Sequence, residues 1–316
     1  MDLEDLEIVF NELSLRIPAA NVQTARQWMS ELINTVLAVK PPPGVKRKLR
    51  AKSNFSYSLL APDYRIVQWR NDPNVDLEAR RFLKTLQDKN DPPLPDIADP
   101  GIEVRYQGEQ AIGIEYAFVF NALSVSLRSE TCWDYSRLEL EVRRLDENED
   151  LIDERLEIFH VSRSNHVQEH TDWINNRIRA RVRDGLELWN RKDELFASLV
   201  FCEAVGEQLQ SLGAENPMLR LVKNRLSELE DYCNSWTDEA FEPKSLRNVS
   251  LESQVTLQNP KYSKERTFLC PDGKERVFSW HAKLSFGWRI YFFPNEQKKM
   301  IIGYVGCHLR TVKYSN

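Results

Sequence analysis

Phe278-Ser-Trp-His-Ala-Lys-Leu284, Arg289-Ile-Tyr-Phe292 and Ile301-Ile-Gly-Tyr-Val-Gly-Cys-His-Leu-Arg310 are the segments whose reading decides the fold. Each is rich in β-branched and aromatic residues, and Pro294-Asn295-Glu296 supplies a turn between the last two, so the pattern predicts a small antiparallel sheet at the carboxyl end. Residues two apart on a strand share a face. His281 and Lys283 therefore project together, as do Arg289 and Tyr291, while Trp280, Leu284, Ile290 and Phe292 take the core side. On the last strand the same alternation puts Ile302 and Tyr304 on one face and Ile301, Gly303 and Val305 on the other. Gly306 is expected to turn the chain and bring His308 and Arg310 to the strand end.

Upstream, the sequence predicts an α+β protein with a helical amino-terminal region over residues 1–95, a mixed domain with a long helix over 101–190, and a helical hairpin plus the basic sheet over 195–316. Leu3, Leu6, Phe10 and Leu13 recur at helical spacing between Asp2 and Arg16, and a second helix runs from Ala20 to Val39. Lys46 to Lys52, with five positive charges, reads as a solvated linker. Tyr64 to Trp69 reads as a strand and Asp76 to Lys89 as a helix, and the proline-rich acidic stretch Asn90 to Pro100 as a domain boundary. Gln110 to Phe120 fits helix or strand. Leu123–Leu127, Leu138–Leu145 and Glu154–Val161 predict three antiparallel strands with one wet face. A charged helix follows from Asn165 to Asn190, broken at Asp184-Gly185, then a short strand at Leu195–Phe201 and helices at Cys202–Leu212 and Pro217–Trp236. The stripe Leu219, Val222, Leu226, Leu229 and Cys233 is a core face.

Composition bounds the function. The 316 residues carry a net charge of −5, but Lys261 to Asn316 holds eleven Lys plus Arg against four Asp plus Glu, leaving the rest of the chain at −12. An acidic body with a basic end is the layout of a chain that meets phosphate at that end and a protein partner at the other. Five scattered cysteines, without a C-x-x-C pair or a leader pattern, predict reduced thiols and a cytoplasmic location. The longest apolar run, Tyr116 to Leu127, is too short to span a bilayer, so no membrane partner is expected. There is no glycine-rich phosphate loop, dinucleotide fingerprint or Gly-x-Ser-x-Gly elbow, and no cofactor is expected.

The residue types on the terminal sheet suit metal-independent RNA cleavage. His281 or His308 would move protons, Lys283 and Arg289 would hold the phosphate and its developing charge, and Tyr304 would orient the substrate. The same residues also fit a non-catalytic module that binds protein or nucleic acid. The order Arg-Ile-x-Phe, a polar turn, then an aliphatic strand closing in Gly-x-His with basic residues and a final Tyr resembles the carboxy-terminal half of RelE/ParE-type toxins. That resemblance covers about forty residues. It implies a helical hairpin on a small antiparallel sheet, and Lys283, Arg289, Tyr304 and His308 as site residues. Along the RelE branch it implies cleavage of messenger RNA on the ribosome, and along the ParE branch gyrase binding without nuclease residues. Bacterial stress response and phage defence are the settings it implies. The whole chain also resembles a bacterial family of similar length, to which no activity is attached, through Trp69-Arg-Asn-Asp-Pro-Asn-Val-Asp-Leu-Glu78, Leu195-Phe-Ala-Ser-Leu-Val-Phe-Cys202 and the Gly-Tyr-Val-Gly-x-His-Leu ending.

A second motif competes. His166-Val-Gln-Glu-His170 has the H-x-x-E-H form in which two histidines on one helical face hold zinc and the glutamate is the base of a hydrolase. His160 lies nearby. The alternative to zinc is a helix start with two exposed histidines and a capping residue, Ser164 or Asn165.

Overall fold

The computed structural model describes residues 6–41, 45–86, 94, 102–145, 151–179, 181–214, 216–237 and 240–312. The chain is α+β and divides into two compact units, Met1–Arg181 and Val182–Asn316.

In the first unit, β1 (Leu6–Phe10) leads through α1 (Val22–Ala38) to β2 (Arg47–Arg50). A short hairpin, β3 (Leu59–Ala61) and β4 (Tyr64–Arg65), precedes α2 (Ile66–Asn71) and α3 (Leu77–Leu86). Then come β5 (Ile102–Arg105), α4 (Ile112–Val119), β6 (Leu123–Val125), β7 (Arg137–Leu145), β8 (Leu151–Val161), α5 (Ser164–Glu169) and α6 (Thr171–Arg179). Six strands form one sheet in the order β2-β1-β6-β8-β7-β5. Neighbours among the first four are parallel, and the β8–β7 and β7–β5 pairs are antiparallel.

Several expectations are corrected here. The segment expected to be a first helix is β1, because Leu6 and Phe10 satisfy a period of two as well as four, and Ile8 between them is fully buried. The expected basic linker supplies β2: Leu49 pairs with Ile8 and is buried, while the edge position lets the cations around it reach water. Arg47 is held by α1, donating to the carbonyls of Val39 and Leu37 at the helix end. The expected strand at Tyr64–Trp69 becomes helix after Arg65, with Trp69 packed in the core. There the Tyr64 hydroxyl and Arg26 both donate to Asp72. Gln110–Phe120 resolves as the helix α4, whose first N–H groups at Ile112 and Gly113 donate to the Glu12 carboxylate, a favourable place for negative charge. β6 is parallel to β8, not antiparallel.

The boundary expected at residues 90–100 lies almost wholly outside the described residues; Leu94, which is described, is buried and its N–H donates to Ala51. Because β1 and β2 join β5 to β8 in one sheet, residues 1–95 and 101–181 form a single unit. The expected long helix is three pieces before Asn190, and its break at Asp184 stands because the Asp184 carboxylate caps the next helix at Glu187 N.

The second unit opens with α7 (Gly185–Asn190), α8 (Lys192–Leu195), β9 (Leu199–Phe201), α9 (Ala204–Gln210) and α10 (Pro217–Ser235). Asn216 caps α10 with Pro217 at its first position, and Leu219, Val222, Leu226, Leu229 and Cys233 are buried as the stripe predicts. Between α10 and the terminal strands lie β10 (Val249–Leu251), α11 (Gln254–Gln258) and α12 (Pro260–Glu265). A hairpin, β11 (Thr267–Leu269) and β12 (Glu275–Val277), precedes β13 (Trp280–Lys283), β14 (Trp288–Pro294) and β15 (Met300–Cys307). The sheet order is β10-β13-β14-β15-β9, antiparallel except for the β15–β9 pair. Among the described residues no helix is long and apolar enough to cross a membrane.

Leu226 lies at the centre of the α10 stripe with no exposed surface. Leu226→Ala is expected to lower stability by about 2–5 kcal/mol, the cost of lost burial plus a cavity. Urea unfolding followed by circular dichroism measures it.

Candidate functional site

Cross-strand partners in an antiparallel sheet point to the same face. His281 pairs with Tyr291, Lys283 with Arg289, Tyr291 with Tyr304, and Arg289 with Gly306. The sheet therefore gathers Lys283, His281, Arg289 and Tyr304 on one side. His308 joins them from beyond β15: its N–H donates to Gly287 at 2.9 Å, and its ring centre lies 6.2 Å from that of His281.

Simple alternation does not produce this. The register of β14 against β15 slips between Tyr291 and Phe292, whose partners are Tyr304 and Ile302, so Gly303 is the extra residue of a bulge. The bulge puts Tyr304 on the face opposite Ile302, where a regular strand would have kept them together. Only glycine fits at 303, since a Cβ there would come within 2.6 Å of the Phe268 ring and 2.7 Å of Phe278. Gly306 is not the expected turn. It lies inside β15, and the room left by its missing side chain is filled by the Tyr304 phenol, whose hydroxyl would be 2.5 Å from a Cβ. That hydroxyl donates to the Cys307 carbonyl at 3.1 Å, and the ring stacks on Phe268.

Beneath the patch lies a charge pair that sequence reasoning missed. Arg266 is fully buried; its Nε and Nη2 contact Glu252 Oε2 at 2.8 and 2.7 Å, Nη1 donates to Tyr262 O and Nη2 to Leu309 O. Its guanidinium also lies 5.6 Å from the centre of the Tyr291 ring. Arg266 thus ties α12, the residue after β10 and the segment after His308 to one point. Nothing in Lys-Glu-Arg-Thr distinguishes this arginine from the other basic residues of the tail; only burial does.

The electrostatics of the patch are those of crowded cations. Burial, then Arg289, His308, Lys283 and Arg266, holds the His281 imidazole well below its ordinary range. His281 is 5% exposed, and its Nδ1 has no hydrogen-bond partner among the described residues. His308 is half-buried and is lowered by burial and by Arg289. Both are therefore neutral at pH 7. Burial pushes the Tyr291 hydroxyl up to about 12 and also raises Tyr304. The expected patch is accordingly split by depth: His281 and Tyr291 are inside, while Lys283, Arg289, Tyr304 and His308 are partly open. Other cations of the basic tail sit elsewhere with partners, Arg276 on Asp272 and Arg310 on Glu265.

The H-x-x-E-H motif has a different arrangement. α5 ends at Glu169, so His170 falls at the helix end rather than one turn along a continuous face. His166 Nδ1 accepts from Ser162 N at 3.3 Å, and His170 Nε2 lies 2.5 Å from the Ser136 carbonyl. His160, fully buried, bridges Ser126 Oγ at 2.8 Å and the Tyr135 carbonyl at 2.6 Å. All three rings are engaged with local groups, and among the described residues no three His, Cys, Asp or Glu side chains converge as metal ligands. A groove across β5, β7 and β8 is lined by Glu103, Arg105, Glu141, Arg143, Asp153 and Arg155, but its charges pair, as in Arg143–Asp153 at 2.7 Å. Comparison with protein-family models, with curated proteins and with solved structures finds no match to this chain.

Two outcomes follow from these environments. His160 is lowered to about 4 by burial. A folded value below the unfolded one means that its stability contribution is present above pH 6.5 and is lost as pH falls toward 4. The loss is expected to be on the order of 3 kcal/mol, read by chemical denaturation between pH 7 and pH 4, with a shallower slope in His160→Gln. Arg266→Leu leaves Glu252 buried without its partner and is expected to cost about 3–5 kcal/mol, measured as a fall in the denaturation midpoint.

Proposed function

We propose that the second unit binds RNA through the phosphate backbone and acts as a toxin-like effector, in bacterial stress response or phage defence. The observation that carries this reading is the Lys283–Arg289 cross-strand pair beside His308, on a face where burial and then Arg289 hold the His281 and His308 imidazoles below their ordinary range. Cations at paired cross-strand positions attract an anion, and a phosphodiester is such an anion. The net charge of +7 after residue 260, against −12 before it, supports a nucleic-acid partner for the terminal sheet and a protein partner for the acidic remainder of the chain.

Within this reading His308 is the group suited to proton transfer, being neutral and partly open. In cleavage it takes the proton of the ribose 2′-hydroxyl as that oxygen bonds to phosphorus. The bond to the 5′-oxygen breaks, and that oxygen takes its proton from water. Lys283 and Arg289 stabilise the charge that builds on the phosphorane. Binding without cleavage is the second reading, favoured by the Tyr304 hydroxyl, whose hydrogen is directed to the Cys307 carbonyl, and by the depth of His281.

Purified protein titrated with labelled single-stranded RNA at several salt concentrations tests the proposal. Lys283→Ala with Arg289→Ala is expected to weaken binding and to flatten the salt dependence by about 0.7 per lost phosphate contact. Unaltered affinity in that double variant removes the proposal. On total RNA, cleavage that disappears in His308→Ala while binding persists supports the enzyme. Binding with no cleavage by the unaltered chain supports the module.

A further inference from the structure

The first 260 residues carry a net charge of −12, but that charge is not spread evenly along them. Lys40 to Lys52 holds six Lys plus Arg and no Asp or Glu, so the other residues before 261 carry −18. The run reads as a linker in sequence, and the fold makes it part of a sheet. The Leu6 N–H donates to the Lys46 carbonyl at 2.8 Å, β2 takes residues 47–50 beside β1, and the Ala51 carbonyl accepts from Leu94. These cations are therefore carried on a fixed backbone, on the strand that ends the six-stranded order.

Alternation sorts them by face. Lys46, Lys48 and Arg50 share one side of the strand, and Arg47 and Leu49 take the other. Leu49 is buried, and Arg47 is engaged by the carbonyls at the end of α1. On the first side Lys46 is exposed, Lys48 and Arg50 are half-buried, and Lys52 is exposed just past the strand. Glu7 is the register partner of Lys48, but it is shared: it lies 3.5 Å from Arg50 and accepts from the Tyr116 hydroxyl at 3.1 Å. Arg50 Nε has no hydrogen-bond partner among the described residues. A lysine on a terminal strand guards it against pairing with another chain. That role does not call for six cations without a carboxylate in a stretch that is otherwise strongly acidic.

A cation at every second residue of a strand recurs about every 6.7 Å. A polynucleotide likewise carries one negative charge per repeat, and a backbone already held in place loses little freedom on meeting it. Ser53 and Asn54, both exposed, add neutral groups of the kind that hydrogen-bond phosphate oxygens. The apolar residues of 46–54, Leu49 and Ala51, are both buried, so the segment offers nothing to insert into a lipid surface. We propose that Lys46, Lys48, Arg50 and Lys52 bind the phosphate backbone of a nucleic-acid strand without reading its bases. This goes beyond the reading of the terminal sheet: it gives the first unit a nucleic-acid contact of its own, separable from Lys283 and Arg289.

Fluorescence anisotropy on the full chain tests it, with labelled single-stranded RNA and DNA of one length across a salt series. The altered chains are Lys46→Ala with Lys52→Ala, and the same two positions changed to Glu. Arg81→Ala with Lys84→Ala, on α3, is the control of equal charge change. All four side chains are exposed, so the fold is expected to persist, which circular dichroism checks. Each pair is also made in the Lys283→Ala, Arg289→Ala background. Lys46→Ala with Lys52→Ala is expected to flatten the dependence of log affinity on log salt by about 0.7 per lost contact, alike for RNA and DNA and in both backgrounds. The Glu pair is expected to lower affinity further, and the α3 control to leave the slope unchanged. An unchanged slope in the Lys46, Lys52 variants overturns the proposal. An equal fall in the α3 control also overturns it, because net charge then accounts for binding. If the variants lose binding to phosphatidylserine vesicles while nucleic-acid binding is intact, the edge belongs to a lipid surface and the proposal fails. Binding that survives Lys283→Ala with Arg289→Ala, and is lost when Lys46 and Lys52 are also changed, supports this contact while removing the terminal-sheet reading. Failure of the unaltered chain to bind either strand removes both.

Discussion

The candidate site depends on one extra residue in the last strand. Without the bulge at Gly303, β15 would present Tyr304 to the side occupied by Ile302, and the phenol would leave the face shared by His281 and Arg289. A one-residue change of phase moves every later side chain to the other side of a sheet, so a single insertion governs the whole end of the strand. Glycine is needed there because Phe268 and Phe278, from the β11–β12 hairpin and the residue after it, already fill the space above. Gly306 then makes room for the Tyr304 ring to lie flat along the strand. The two glycines of Gly-Tyr-Val-Gly are thus a steric device for seating a tyrosine, and the path of the chain toward His308 follows from it.

Charge in this unit is organised by depth. Arg266 and Glu252 sit where water does not reach, and each has hydrogen bonds beyond the pair itself, the condition under which buried ions are tolerated. Above them Lys283, Arg289 and His308 are partly open, while the His281 imidazole is buried. Nearby cations disfavour the charged form of an imidazole and a nearby anion favours it, so an anion bound at this corner would raise the proton affinity of both rings.

The three histidines of the first unit show how little a residue type says alone. His160, His166 and His170 are as close in sequence as zinc ligands are, yet each ring turns to a carbonyl, a hydroxyl or an amide near it. The motif was readable, but its geometry was not, because α5 stops after six residues and the i, i+4 relation on which a helical chelate depends is interrupted.

Local patterns settled the elements whose burial follows a single period: α1, α10 with its stripe, β7, β8 and the terminal strands all stand close to where periodicity puts them. The shared face of His281 with Lys283, and of Arg289 with Tyr291, was likewise legible from the period of two. Tertiary structure alone decided the rest. Pairing of β1 with both β2 and β6 joined regions that a proline-rich stretch had seemed to divide, because a parallel partner can be distant in sequence and leaves no local trace. The depth of Arg266 and His281, and the phase of Tyr304, depend on what packs above them from other parts of the chain, and that packing is a property of the folded molecule, not of any segment.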